Sequence, residues 1–189
     1  MLNVAAVCFS PSFLPLSALL LADLISSNIN VACVIGFPSG AHAGAVKAFE
    51  ARQATQNGAT EIDMVVNLGF VFSANWLELG DEIAQVRAAV PPNTCLKVII
   101  ESAALTDPQI VTVCRVAVAN GANFVKTSTG FHKSGGATVE AVKLMRATVG
   151  DTIGVKASGG IRTREMALEM INAGATRLGT SATQAILAE

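Results

Sequence analysis

From end to end the sequence alternates between short apolar runs and segments of helical period, and this limits the fold more than any other feature. Strand-like runs recur at 4–9, 31–37, 61–66, 95–100, 124–128, 154–158 and 176–181. Between them apolar residues fall at helical spacing. Segment 45–57 carries Val46, Phe49 and Ala54 on one side, 76–89 carries Leu79, Ile83 and Val86, and 164–172 carries Met166, Met170 and Ile171; 110–120 and 139–149 follow the same habit. The phrases Asn57-Gly58-Ala59, Asn120-Gly121-Ala122 and Ala173-Gly174-Ala175 each end a helix and launch a strand. Thr106-Asp107-Pro108 and Thr163-Arg164-Glu165 read as helix starts. Strand-plus-helix units of roughly 30 residues imply a parallel sheet with helices outside it. A closed barrel and an open doubly wound sheet both satisfy that pattern. No G-x-G-x-x-G follows the first strand, and the cadence is even, so the barrel is expected. Seven strands are readable, not eight. The expected fold is therefore an α/β, TIM (β/α)8-type barrel lacking its first βα unit, forming one domain over residues 1–189.

Composition agrees and removes several function classes. Apolar residues make up 51% and charged residues 14%, the balance of buried parallel strands. The net charge is −1 and no basic block occurs, so neither nucleic acid nor a membrane surface is an expected partner. Cys8, Cys33, Cys95 and Cys114 are widely spaced with no C-x-x-C pair, which predicts no disulfide framework, no zinc site and a reducing cytoplasm. Segment 14–25 is apolar, but Asp23 interrupts it and no Lys or Arg precedes Lys47, so a signal peptide is not expected. No uninterrupted apolar run of about 18 residues suggests a membrane span.

Within the apolar strands a few charges stand out. Side chains alternate along a strand, so Lys126 shares a face with Phe124 and Ser128, and Lys156 with Gly154 and Ser158. Glu61 and Asp63 share another, as do Lys97 and Glu101. The opposite faces are apolar or small and suit helix packing, so these charges must point into the barrel or into the crevice at the strand ends. A lone buried ammonium costs several kcal/mol unless paired. One explanation is a structural ion-pair network with Asp63 and Glu101, in which Lys97 and Glu101 bracket the inner charges. The other is catalysis. A lysine attacks a carbonyl only when neutral, and desolvation and a neighbouring ammonium both favour the neutral form. Lys126 and Lys156 lie on consecutive strands, neighbours in a parallel barrel, and Asp63 could move a proton beside an imine.

The last two strands each lead into a glycine-bearing loop and then a helix: Ser158-Gly159-Gly160-Ile161-Arg162-Thr163, and Leu178-Gly179-Thr180-Ser181. Paired glycines let backbone approach an anion, a helix N-terminus attracts one, and many barrels bind phosphate there. Ordinary tight turns are the alternative. His42 and His132 are expected to be solvated loop residues, and Trp76 to pack at the start of a helix.

Five segments, in order, carry a resemblance: Gly36-Phe37-Pro38-Ser39-Gly40, Glu61-Ile62-Asp63-Met64-Val65, Lys97-Val98-Ile99-Ile100-Glu101, Phe124-Val125-Lys126-Thr127-Ser128-Thr129-Gly130-Phe131 and Val155-Lys156-Ala157-Ser158-Gly159-Gly160-Ile161-Arg162-Thr163. They are similar to the signature segments of the deoxyribose-phosphate aldolase family, and the likeness runs from about Val4 to Ile186. It implies a (β/α)8 barrel without metal or organic cofactor, expected as a homo-oligomer. It implies reversible cleavage of a phosphosugar, 2-deoxy-D-ribose 5-phosphate, into acetaldehyde and D-glyceraldehyde 3-phosphate. Lys126 matches the Schiff-base lysine, Lys156 the second active-site lysine and Asp63 the acid/base aspartate. Gly130, Gly159, Gly160, Arg162, Gly179 and Ser181 fall where the family holds substrate and phosphate. Cys8 and Thr129 are expected to border the pocket, although a small buried cysteine is the plainer reading of Cys8. The chain departs from the family in lacking the helix, strand and helix that usually precede its first segment, and it contains no Tyr. A gap between the first and last strands is therefore expected, unless a neighbouring chain covers it or the barrel closes with seven strands. Two other readings remain open: an inactive, truncated barrel that binds a phosphate ligand, and another lysine-dependent aldolase or lyase acting on a phosphorylated substrate.

Overall fold

A computed structural model describes residues 4–188. Residues 1–3 and 189, the ends of the expected single domain, lie outside the described residues. Seven strands form one sheet in chain order: β1 (Ala6–Phe9), β2 (Asn30–Ile35), β3 (Glu61–Val65), β4 (Cys95–Ile99), β5 (Phe124–Lys126), β6 (Gly154–Ser158) and β7 (Arg177–Gly179). Every neighbouring pair is parallel. Each of the seven anticipated strands is present. Helices intervene: α1 (Ala18–Ser26), α2 (Gly44–Gln56), α3 (Leu68–Phe72), α4 (Trp76–Ala89), α5 (Asp107–Ala119), α6 (Val139–Val149), α7 (Arg164–Asn172) and α8 (Thr183–Ala188).

Local chemistry accounts for the helix ends. Thr163 caps α7 by accepting from Met166 N at 3.3 Å. At α5, Gln109 reaches back to accept from Thr106 N at 2.9 Å, one half of a capping box, and Pro108 sits in the first turn. Outward-pointing strand residues such as Ile62, Met64, Val98 and Val125 pack with Leu79, Ile83, Val86, Val113 and Met145 from the helices in one apolar layer. At about 1.5–3 kcal/mol for each fully buried large apolar side chain, this layer drives folding.

Two helix faces differ from the periodic reading. On α2, Ala54 is buried as expected, but Val46 and Phe49 are 49% and 56% exposed, and Lys47 and Ala51 face inward instead. The hydrophobic pattern misleads there because the buried position is a lysine. Lys47 Nζ donates to Glu82 and to Val65 O, both at 2.8 Å, and Glu82 accepts from Asn67 N at 2.7 Å. Burial favours the neutral Lys47, against Glu82's pull, and pushes the Glu82 carboxyl up. On α7, Ile171 is exposed, while Ala167 and Met170 are buried.

The sheet curls but does not close. Strands lie about 4.8 Å apart, so in a flat sheet β3 and β6 would be about 14 Å from each other. Yet Lys156 on β6 reaches Asp63 on β3 at 2.6 Å, and Arg177 on β7 reaches Glu61 on β3 at 3.4 Å. Among the described residues β1 and β7 pair with nothing on their outer edges. Both line one cavity of about 950 Å3, walled by Val4, Ala6, Leu20, Leu24, Ile29, Leu178 and Ile186 among others. Among the described residues the expected gap between the first and last strands is thus present.

Candidate active site

Register brings the charges together. Lys126 and Lys156 are paired positions on β5 and β6, and Asp63 and Lys97 are paired positions on β3 and β4. All four side chains are buried. Asp63 accepts from three lysines: Lys97 Nζ on Oδ1 at 2.6 Å, and Lys126 and Lys156 Nζ on Oδ2 at 2.8 and 2.6 Å. Because both of the latter amines touch one oxygen, their nitrogens lie no further apart than the sum of 2.8 and 2.6 Å. Lys97 is also paired with Glu61 at 2.6 Å. The cluster holds four cations (Lys97, Lys126, Lys156, Arg177) against two carboxylates (Asp63, Glu61), an excess of two positive charges when all are ionised.

That excess sets the electrostatics. Burial alone would raise the Asp63 carboxyl, but Lys126, Lys156 and Lys97 overcome it and hold Asp63 well below the usual carboxylate range. Burial would lower Lys97, but Asp63 and Glu61 outweigh it and keep this amine firmly protonated. Lys156 goes the other way: burial lowers it, Asp63 resists, and the charges of Lys126 and Lys97 add to the lowering. Lys156 therefore sheds its proton more readily than a free amine.

Above the cluster opens a pocket of about 550 Å3. Its walls include Lys126, Lys156, Cys8, Thr129 and Gly130, together with Gly159, Gly160, Arg162, Gly179 and Ser181. Asp63 lies beneath, fully buried. The structure thus gathers Asp63, Lys126, Lys156 and the expected pocket and phosphate-binding residues around one cavity. Glycine is required at two of these places. A Cβ on Gly179 would lie 2.9 Å from Ser158 Cβ and 3.1 Å from Lys156 Cε, closing the space the lysine occupies. Gly159 has φ +89 and packs against Gly136 and Ser128.

Glu101 departs from expectation. It forms no ion pair with Lys97, because β4 ends at Ile99 and the backbone at Glu101 turns left-handed, with φ 55. Strand parity therefore does not extend to it. Its carboxylate accepts instead from Thr129 N and from Thr129 Oγ1, the latter at 2.6 Å. His42 is exposed, and His132 Nδ1 accepts from Ser134 N at 3.2 Å, a local loop role. Cys8 is exposed, not the small buried residue of the plainer reading, and all four cysteines are free. Sequence reasoning missed Phe37 and Phe131, which meet edge-to-face over the pocket with ring centroids 5.4 Å apart. Their positions in glycine-bearing loops after β2 and β5 were the available signal.

Fold and site together define a class, the lysine-bearing aldolases built on a parallel α/β barrel. Within that class, the chain belongs to the DeoC/LacD family of aldolases, whose family model matches residues 3–187. Relatives named deoxyribose-phosphate aldolase include one from Kocuria rhizophila, 54% identical over 98% of this chain and 82% of its own length. Another, from Corynebacterium diphtheriae, is 53% identical over 100% of this chain and 83% of its own. Among solved structures, the aldolase QR15 superposes with a TM-score of 0.87 at 39% identity, covering 96% of this chain and 79% of that one. A deoxyribose-phosphate aldolase from Aeropyrum pernix, described as tetrameric, superposes with a TM-score of 0.80 at 28% identity, over 96% of this chain and 75% of that one.

Proposed function

We propose that this chain is a class I aldolase that reversibly cleaves 2-deoxy-D-ribose 5-phosphate to acetaldehyde and D-glyceraldehyde 3-phosphate through a Schiff base on Lys126. The observation that carries the reading is the pair of amines sharing Asp63 Oδ2 on the floor of the pocket. The arrangement puts a buried amine, the species that attacks an aldehyde when neutral, on the pocket floor beside a second amine that burial lowers. Geometry puts both Lys126 and Lys156 within hydrogen-bond distance of Asp63; the likeness of the Lys126-Thr127-Ser128-Thr129-Gly130-Phe131 segment selects Lys126.

In this mechanism the Lys126 amine adds to the sugar aldehyde, and loss of water gives an iminium. The C3 hydroxyl gives up its proton, the C2–C3 bond breaks, and its electrons enter the iminium to form an enamine. Glyceraldehyde 3-phosphate departs. Protonation of the enamine carbon and addition of water then release acetaldehyde and the free amine. Lys156, lowered by burial, gives up a proton more readily than an ordinary lysine and is suited to exchanging these protons, and Asp63 orients both amines. The phosphate would rest against the Gly159–Gly160 turn, with Arg162 and Ser181 on the same wall.

The test is retro-aldol turnover of the purified chain, with sodium borohydride trapping of acetaldehyde. Turnover and an adduct on Lys126 are expected, and Lys126→Ala should lose both, by on the order of 10^4-fold or more in turnover. An adduct confined to Lys156 would overturn the assignment. The open edge between β1 and β7 favours a second reading, a barrel that binds a phosphosugar without cleaving it. That reading expects thermal stabilisation by deoxyribose 5-phosphate with no turnover. Exposed Phe13, Leu19 and Ile25 support self-association, which sizing would measure. Four unpaired thiols suit a reducing cytoplasm.

A further inference from the structure

Glu101 is a buried carboxylate that the chemistry above does not use. It is 1% exposed, and among the described residues no cation pairs with it. Burying such a charge is costly unless hydrogen bonds offset it. The side-chain bonds Glu101 makes all come from one residue, Thr129: the backbone N–H at 3.2 and 3.3 Å and the hydroxyl at 2.6 Å. To make them the backbone adopts a left-handed conformation, φ 55 and ψ 54, uncommon for a residue with a β carbon. The same turn is tied to the reactive strand, since Ile100 N donates to Lys126 O at 2.9 Å and Ser102 N donates to Thr127 O at 2.8 Å.

What this arrangement fixes is the rim of the pocket. Thr129 Oγ1 donates to Glu101 and in turn accepts from Phe131 N at 3.1 Å. Phe131 is 74% exposed, an expensive place for a bare aromatic ring, yet it stands edge-on to Phe37 at an interplanar angle of 87°. The far end of the same loop is anchored on the glycine turn, with Ala137 N donating to Gly159 O at 3.0 Å.

We propose that Glu101 is a positioning residue that, through the Thr129 hydroxyl, sets Phe131 against Phe37 as an aromatic rim holding the phosphosugar over Lys126. The inference rests on the aldolase reading of the pocket. The rim retains substrate and sheds water from the pocket mouth, whereas the amine cluster carries the chemistry. Loss of Glu101 therefore raises KM more than it lowers kcat.

The experiment is a double-mutant cycle on the full chain, with KM and kcat for deoxyribose 5-phosphate, melting temperature, and borohydride trapping of saturating acetaldehyde. Glu101→Ala and Phe131→Ala should each raise KM about tenfold with kcat within about threefold, and the double variant should match either single one. Thr129→Val should resemble Glu101→Ala, while Thr129→Ser and Glu101→Gln, which keep a hydroxyl and an acceptor oxygen, should restore most of the affinity. Trapping on Lys126 should match the unmodified protein throughout. If Glu101→Ala fails to fold, the Thr129→Val and Phe131→Ala cycle decides in its place. Multiplicative effects, or a kcat loss that tracks trapping, would overturn the inference. Failure of the unmodified chain to trap acetaldehyde on Lys126 would instead sink the aldolase reading.

Discussion

The two halves of this sheet are built on different principles. Strands β3 to β6 are buried on both faces almost without interruption, apolar toward the helices and charged toward the axis. Strands β1 and β7 are half-buried or exposed, and each has one edge without a partner strand. The first half holds the lysines and Asp63, and the second supplies wall: Cys8 from β1, and Gly179 with the loop that follows β7. Reactive groups thus sit where the ladder is continuous and register is fixed, while the open half contributes only wall. Precise placement of two amines on one oxygen needs the rigid half.

The sharpest way to break that contrast is to remove the group at the centre of the rigid half. Asp63→Asn leaves Lys97, Lys126 and Lys156 buried around a neutral amide, and stripping one partner from a buried ionic cluster costs about 3–5 kcal/mol. Urea unfolding should register that loss together with a collapse of turnover. The pH dependence follows the same logic. Asp63 is held well below its ordinary range in the folded protein, so the stability it lends is complete above the unfolded pKa near 3.8 and drains away as pH falls toward the folded value. Asp63→Asn should therefore flatten the acid limb of the stability curve. An unchanged acid limb would mean that Asp63 is not the anchor.

Lys156→Met should behave oppositely for stability. The folded protein lowers this amine, so between its folded value and 10.5 the unfolded chain holds more protons and stability rises with pH. Below that window the charged Lys156 is a burden on the fold. Replacing it with a neutral chain of similar length should leave stability at pH 7 unchanged or higher, while turnover falls by about 10^2-fold or more. A large loss of stability would show that the cluster is a structural ion-pair network and not a strained catalytic one.

The same contrast explains what could be read from the residues alone. Lys126, Lys156 and Asp63 were legible because a charge inside an apolar strand violates the pattern around it, and strand parity then gives its face. The seven strands and the helix starts at Thr106 and Thr163 were legible for similarly local reasons. Glu101 was misplaced because parity lapses where the backbone leaves β4. Lys47 was overlooked because helical periodicity counts apolar residues, and the stabilising partner, Glu82, lies 35 residues away. Helix α1 was considered only as an apolar leader; its start rests on a weak cap, Ser17 Oγ accepting from Leu20 N at 3.3 Å. Helix α3 has five residues, too few to show a period. The aromatic rim depends on two loops meeting, which no spacing encodes.

A gentler probe compares the halves without mutation. Amide hydrogen exchange should protect β3, β4 and β5 up to the global stability, while β1 and β7, each hydrogen-bonded on one side only, exchange through local opening. Equal protection of β1 and the central strands would mean that the open edge is covered in solution, and sizing under the same conditions would tell whether a second copy covers it.

Cysteine labelling gives the smallest expected effect and the most local one. Cys8 on β1 is open to solvent, although the protein around it and the charge of Asp63 push its thiol up. Cys33 and Cys114 are buried, and burial is the largest influence pushing each up to about 12. Iodoacetamide at pH 8 should therefore label Cys8 first and slowly, with the rate climbing as pH rises, and should spare Cys33 and Cys114 in the folded protein. Because Cys8 borders the pocket that holds Lys126 and Lys156, deoxyribose 5-phosphate should slow its labelling. Cys33 lies on β2, one strand inward from the open edge and paired in register with Phe9. If Cys33 reacts as fast as Cys8, β1 detaches from β2 on the labelling timescale, and the boundary between the rigid and open halves lies one strand further in than the static structure places it.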